Sequence, residues 1–483
     1  MWLNLSSKSK TFLSSKWNAI LLLLFSYALF SLEFSPAFQG FGVDKEVFRY
    51  MGMLIANDGI PYLDAFDHKP PVIYLINYLG FIIYDAGGWG VFIINNLIGF
   101  LAALMLFKAA SNITKSRSFA FFLTFGYIAF SNFFPFLDMG NMTRQLTMYF
   151  TVMLLSTYFL EIADKTKFLC IGVLSGLIFF TQQNEILASI PVVVYFFFNK
   201  SVDLKKVFLN LLFFGLGLVA ISCGLFLILK SWANVEAFID QAFLFNLNAY
   251  IPSEDNAVVR FANFIIAMFR PRMLPLLTLL LLAFGWTIYN YKSITKFQLV
   301  LIGALILQAF SGAMSGRHYP HYYMMLLPFI MYLFLVQSTP TILSNRWWPT
   351  VCLIVIFGYF LIKGIFMFKF SKSYPLHSEV HEIVKEKTGK RGQFYTFDKN
   401  HLGVNTDLEI IAPTRWIYTQ FAYSNYDPQG EIFDEILKGF EIYKTTYILI
   451  PNYFKDQKVS NYINAHYAIK IEQPGFVLYE RRK

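Results

Sequence analysis

Long uninterrupted apolar runs constrain this chain more than any other feature of its sequence. Residues 17–30, 204–229 and 273–288 are each long enough, or nearly so, to cross a hydrocarbon layer of about 30 Å. A soluble fold can bury one such helix but not a whole series of them. With no water in the bilayer core, each run must satisfy its own backbone N–H and C=O groups, which makes it a helix. Composition agrees: of 483 residues, 56% are hydrophobic and only 14% charged. A soluble chain carries nearer a quarter charged residues.

The net charge of +10 is not a nucleic-acid signal, because the lysines and arginines gather in short segments between apolar runs. That is the positive-inside pattern, which says little about partners; the bilayer follows from the apolar runs themselves. Cys170, Cys223 and Cys352 all lie inside apolar runs, so they read as small core residues and not as a disulfide framework. Lys8, Lys10 and Lys16 precede the first run, and Ser35-Pro36-Ala37 is a poor cleavage site. The N-terminus therefore reads as an uncleaved signal anchor.

With the N-terminus in the cytoplasm, spans are expected near 17–33, 90–107, 118–134, 142–162, 168–181, 186–198, 206–230, 273–291, 297–314, 321–338 and 347–368. The run 72–84 is too short to cross comfortably and is assigned to the interface. Each loop then placed inside is basic: Lys108, Lys115 and Arg117; Lys165 and Lys167; Lys200, Lys205 and Lys206; Lys292 and Lys296; Arg346. The same parity puts the polar segments 34–71, 135–141, 231–272 and 315–320 on one outer face. The expected fold class is an all-α polytopic membrane protein of about eleven spans plus interfacial helices. A membrane domain over 1–370 is followed by a small extracytoplasmic α/β domain over 371–483. In that domain, helices are expected at 378–387, 431–440 and 459–466, and strands at 393–397, 447–450, 468–471 and 476–479.

The chemistry-bearing residues collect in the outer segments. The first reads Gly42-Val43-Asp44-Lys45-Glu46-Val47-Phe48-Arg49-Tyr50, then Gly59-Ile60-Pro61-Tyr62 and Phe66-Asp67-His68-Lys69-Pro70-Pro71. A carboxylate held near a membrane surface suits a base for an acceptor hydroxyl, which makes Asp44 the candidate base. Glu46, Asp58 and Asp64 read more simply as solvated loop residues. Lys69 precedes two prolines that stiffen the chain, and its ammonium suits a phosphate as a point charge. Further along come Gly140-Asn141-Met142-Thr143 and Ser315-Gly316-Arg317-His318-Tyr319-Pro320-His321-Tyr322-Tyr323.

An Asp after the first span, then G-x-P-Y, then D-x-K-P-P opening an interfacial apolar helix, resembles the GT-C glycosyltransferases. The nearest likeness is to the family 39 group, which includes protein O-mannosyltransferases and the lipid A aminoarabinose transferases. The G-N-x-T and S-G-R-x-Y-x-H-Y segments extend the resemblance over the membrane region. It implies an inverting transfer of a hexose or pentose from a polyprenyl-phosphate-sugar donor to a glycan, lipid or protein acceptor. It also implies the extracytoplasmic face of a cell (inner) membrane, and no cofactor or metal. Carried over residue by residue, the catalytic Asp is Asp44 and the phosphate-contacting Lys is Lys69. Arg317 and His321 become donor-phosphate ligands, against an alternative as interfacial anchors.

This sequence departs from the family pattern in two places. Lys45 separates Asp44 from Glu46, where relatives often pair Asp with Glu. Arg144 follows Thr143 where relatives often have Glu, so Arg144 either binds an anion or marks a different acceptor. Acceptor or sugar contacts are accordingly assigned to Glu46, Asp138, Asn141, Arg144 and Gln183, with an ordinary turn as the alternative for Gln183 and a helix N-terminal charge for Asp138. Two other functions share parts of this pattern. A diphosphate-linked polysaccharide ligase or polymerase would also place Arg and His on the outer face, but D-x-K-P-P argues against it. A transporter or flippase of lipid-linked sugars would carry ionisable residues at mid-span and repeated halves, and neither is visible.

Overall fold

The computed structural model describes residues 15–38, 43–84, 86–137, 139–199, 203–231, 234–250, 256–289, 291–337, 376–419, 427 and 430–483. They divide into two compact units. The first draws on Met1–Ser35, Asn95–Leu225 and Pro252–Phe370, the second on Pro36–Ile94, Phe226–Ile251 and Ser371–Lys483.

The first unit is helical. Its innermost element is the helix Thr143–Tyr158, in which every residue is buried. A helix with four threonines survives in such surroundings because its hydroxyls bond within it. Thr147, Thr151 and Thr157 donate to the carbonyls of Thr143, Thr147 and Met153 at 2.9, 2.8 and 2.7 Å, so few polar groups are left for the apolar neighbours to satisfy. It packs against Asp164–Phe179, Ser189–Phe198 and Leu327–Gln337, the last of which also carries Arg117–Ser131 and Lys296–Ala313, and Tyr27 of Lys16–Ser31 donates to its Tyr149 at 3.0 Å.

Among the described residues, five helices are long and apolar enough to cross a membrane: Lys16–Phe34, Trp89–Thr114, Leu204–Ser231, Pro271–Tyr289 and Lys296–Ala313. They coincide with five of the expected spans. The spans expected at 118–134, 142–162 and 168–181 are helices that stop earlier, at Ser131, Tyr158 and Phe179, and the one at 186–198 ends at Phe198 as expected but becomes α-helical only at Ser189. A 16-residue helix such as Thr143–Tyr158 rises about 24 Å. The span expected at 321–338 is broken by a 3₁₀ turn at Met324–Leu326, and the one at 347–368 lies outside the described residues. Leu204–Ser231 keeps Leu211, Leu212, Leu216, Val219 and Leu227 exposed, which suits a face solvated by lipid.

One crossing in this unit depends on glycine. A Cβ on Gly172 would stand 2.0 Å from the carbonyl oxygen of Phe214, and one on Gly217 would stand 2.2 Å from that of Leu169. The helices Asp164–Phe179 and Leu204–Ser231 thus meet backbone to backbone, the packing that small residues permit in membranes. Gly217→Leu is expected to force them apart at a cost of about 1–3 kcal/mol, read as a lower unfolding temperature in detergent. An unchanged transition would show that the crossing is not tight.

The second unit begins with the helix Val43–Ala56 packed on Val72–Tyr84. Gly52 allows this, since a Cβ there would lie 2.6 Å from the carbonyl carbon of Asn77. The run 72–84 is a 13-residue helix, as its length implied. Residues 371–483 join this unit and add a four-stranded sheet. The strands are β1 (Phe394–Thr396), β2 (Tyr447–Pro451), β3 (Tyr467–Gln473) and β4 (Phe476–Arg481). Their order is β1-β2-β4-β3, with β1 parallel to β2 and the other pairs antiparallel. Val380, Val384, Phe394, Val404, Leu449 and Leu478 fill the core beneath the sheet. The helices Leu376–Val384, Glu431–Tyr443 and Gln457–His466 fall where the sequence pattern put them. A further helix, Leu402–Asp407, was not anticipated, because six residues are too few for periodicity to register.

Candidate active site

Asp44 and Glu46 occupy the first turn of Val43–Ala56, where the helix dipole favours carboxylates. Their surroundings differ sharply. Glu46 has no exposed side-chain surface and accepts from Arg49 Nη1 at 2.8 Å, while Arg49 Nη2 donates to Asp407 at 2.7 Å. Burial pushes the Glu46 carboxyl up, and Arg49 and Lys45 oppose that shift. Glu46, expected from sequence as an acceptor or sugar contact, is instead a brace for Arg49, since its enclosure leaves no face for a substrate. Lys45 is buried on the same helix, and burial lowers its ammonium to about 8. Asp44 keeps 42% of its side chain exposed, with Lys399 Nζ at 4.0 Å.

The segment 57–71 is held from several directions. Asp58 and Tyr62 adopt positive φ, 58° and 68°, in a turn closed by Tyr62 N donating to Ala65 O at 2.9 Å. Asp64 accepts from Ile60 N at 2.8 Å and pairs with Arg391 at 2.5 Å. Asp67 is buried and accepts from the hydroxyls of Tyr74 at 2.7 Å and Tyr418 at 2.9 Å. Burial raises its carboxyl, against the pull of those two hydroxyls and of Lys69. The carbonyl of Lys69 accepts from Tyr62 at 2.7 Å and Tyr74 at 3.1 Å. With two prolines following, the backbone of Lys69 has little freedom, whereas its side chain is only half-buried.

Helical residues 235–250 complete the clamp. Gln241 donates to Tyr62 O at 2.5 Å and accepts from Asp67 N at 3.3 Å, and Asn246 donates to His68 O at 2.8 Å. The aromatic stripe of this segment packs on the same loop, with Phe238 5.6 Å from Tyr62 and Phe245 5.4 Å from Phe66, centroid to centroid. Residues 412–418 cover it further. Phe66 N donates to Arg415 O at 2.7 Å, and Phe66 lies 4.7 Å from the Trp416 ring. Asp67, Tyr74, Gln241, Lys399 and Tyr418 were all missed as site residues. Asp67 stands inside the quoted motif, but its partners at 74, 241 and 418 share no local pattern with it.

The other sequence candidates lie in the first unit. Asn141 sits at φ 53° after Gly140 and accepts from Asn95 at 3.1 Å. Arg144 is paired within the protein: its Nε donates to Glu185 at 2.8 Å, and its guanidinium stacks 3.5 Å over the Tyr322 ring. Gln183 opens the short 3₁₀ helix that carries Glu185. Arg317 and His321 are half-buried, with His321 stacked on Tyr319 at 5.6 Å and beside Tyr322 at 4.8 Å. Asp138 lies outside the described residues. Among the described residues, no group of three or more His, Cys, Asp or Glu is placed to hold a metal ion.

Residues 68–226 match the family profile of dolichyl-phosphate-mannose-protein mannosyltransferases. No curated protein matches the chain. Two crystal structures of ArnT from Cupriavidus metallidurans share its fold. The apo form has a TM-score of 0.66 at 11% identity, covering 96% of this chain and 98% of that one. The form bound to undecaprenyl phosphate has a TM-score of 0.63 at 11% identity, covering 95% and 97%. The long apolar helices and the shared fold together make this chain a multi-pass membrane protein with the fold of these ArnT structures.

Proposed function

We propose that the chain is an inverting glycosyltransferase, moving a sugar from a polyprenyl-phosphate-linked donor to an acceptor hydroxyl on the outer face of the membrane. Asp44 is the base in this reading. It takes the acceptor proton as the oxygen attacks the anomeric carbon and the C1–O bond to phosphate breaks, leaving polyprenyl phosphate. Lys69 holds the phosphate as its negative charge grows. Arg317 and His321 are proposed as phosphate ligands on the sequence resemblance.

The observation that carries the reading is the contrast on one helical turn. Glu46 is enclosed and bonded to Arg49, whereas Asp44 remains 42% exposed and 4.0 Å from its nearest ion-pair partner. A base has to reach a substrate, and Asp44 is the carboxylate on that turn that does. The ArnT structure with bound undecaprenyl phosphate and the dolichyl-phosphate-mannose profile support a lipid-phosphate donor. The basic inner loops support an N-terminus in the cytoplasm and a C-terminal segment outside.

The test is release of polyprenyl phosphate from labelled polyprenyl-phosphate-sugar donors by the purified protein, with and without cell-envelope acceptors. Release that needs an acceptor supports the transferase. No release from any donor by well-folded protein would overturn it and favour a diphosphate-linked donor or transport. In the same assay Lys69→Ala is expected to raise the donor KM about 10- to 150-fold, the worth of a charge-assisted hydrogen bond. An unchanged KM would remove Lys69 from the phosphate site.

A further inference from the structure

The residues 398–407 bring a cation to Asp44. Asp398 caps their first turn, accepting from Asn400 N at 3.0 Å and bonding His401 Nδ1 at 3.1 Å. At the other end Asp407 receives Arg49 at 2.7 Å. The segment is thus pinned to Val43–Ala56 through an arginine that is itself buried. Lys399, the residue after the cap, places its ammonium 4.0 Å from Asp44 Oδ1 and 5.9 Å from the centre of the Tyr418 ring. Tyr418 in turn bonds Asp67, two residues before Lys69.

The contact with Asp44 by itself adds little stability. Lys399 and Asp44 are 30% and 42% exposed, and ion pairs that open to solvent contribute about 0–1 kcal/mol. Ordering a long side chain offsets much of that. A half-exposed ammonium beside a reachable carboxylate is instead suited to an incoming oxyanion. We propose that Lys399 is a substrate-binding residue of the Asp44 site: it holds an oxyanion of the phosphate class, carried by donor or acceptor, beside the carboxylate that takes the hydroxyl proton. The proposal rests on the transferase reading above and adds to it a ligand supplied by the C-terminal segment.

The test uses the full chain in detergent or lipid nanodiscs, comparing wild type with Lys399→Ala, Lys399→Arg and, as a surface control, Lys458→Ala. Steady-state kinetics are measured against donor and acceptor separately, with binding of polyprenyl phosphate as an independent readout. Lys399→Ala is expected to raise one KM about tenfold or more while kcat changes much less, and Lys399→Arg to restore most of the loss. A rise confined to the donor KM assigns the oxyanion to the donor phosphate; a rise confined to the acceptor KM assigns it to an anionic acceptor. If wild type is active and Lys399→Ala leaves both KM values unchanged, the Lys399 proposal falls and the transferase stands. If wild type is inactive but binds polyprenyl phosphate about tenfold more tightly than Lys399→Ala does, the ligand assignment survives and the transferase falls. Inactivity with no difference in binding overturns both.

Discussion

Asp44→Asn is expected to lower kcat by a factor of about 10²–10⁴, the usual contribution of a positioned general base. The substitution keeps shape and polarity but removes the ability to accept the acceptor's proton. Because Asp44 is half-exposed and its ion pair is long, its loss should leave the unfolding temperature nearly unchanged. Glu46→Gln, two residues on, should do the reverse. It strips the carboxylate from a buried Arg49, so stability falls while any remaining folded protein keeps its turnover. Release of polyprenyl phosphate in a single turnover, paired with a melting curve for each variant, separates the two roles. If Asp44→Asn turned over at the wild-type rate, the base would have to be sought elsewhere.

That contrast also marks how far the sequence can be read. Apolar length located the five long helices, and the Gly and Pro spacing from 59 to 71 located the loop that carries Lys69. Both signals are local, since span length and turn chemistry are set by neighbours in the chain. What distinguishes Glu46 from Asp44 is Arg49, which takes its second partner, Asp407, from 358 residues away. Lys399 and Tyr418 reach the site across comparable separations. No periodicity encodes such pairs, because they exist only once residues 371–483 pack with the first loop. The small α/β pattern was visible as strands and helices, whereas its joining to residues 36–94 as one unit was not.

Arg144 is the clearest case of a role visible only in three dimensions, and it carries the largest expected effect on stability. Its partner Glu185 also receives Gln308 Nε2, Asn184 Nδ2 and the Ser311 hydroxyl, the last two at 3.4 Å. Arg144 and Glu185 are both buried, so either one alone would be an uncompensated charge. Arg144→Ala or Glu185→Ala is therefore expected to cost about 3–5 kcal/mol, seen as a fall in unfolding temperature in detergent. Arg144→Met combined with Glu185→Leu should cost much less than the two single losses added together, because the pair leaves with its own desolvation penalty. The double variant still forfeits the guanidinium stack on Tyr322 at 3.5 Å, worth about 2 kcal/mol when desolvated. Arg144→Lys keeps the charge but presents a compact ammonium in place of the planar fork, and should fall between wild type and Arg144→Ala. Additive losses in the double variant would mean that Arg144 and Glu185 stabilise the unit independently, Glu185 through Gln308 and Ser311 and Arg144 through Tyr322.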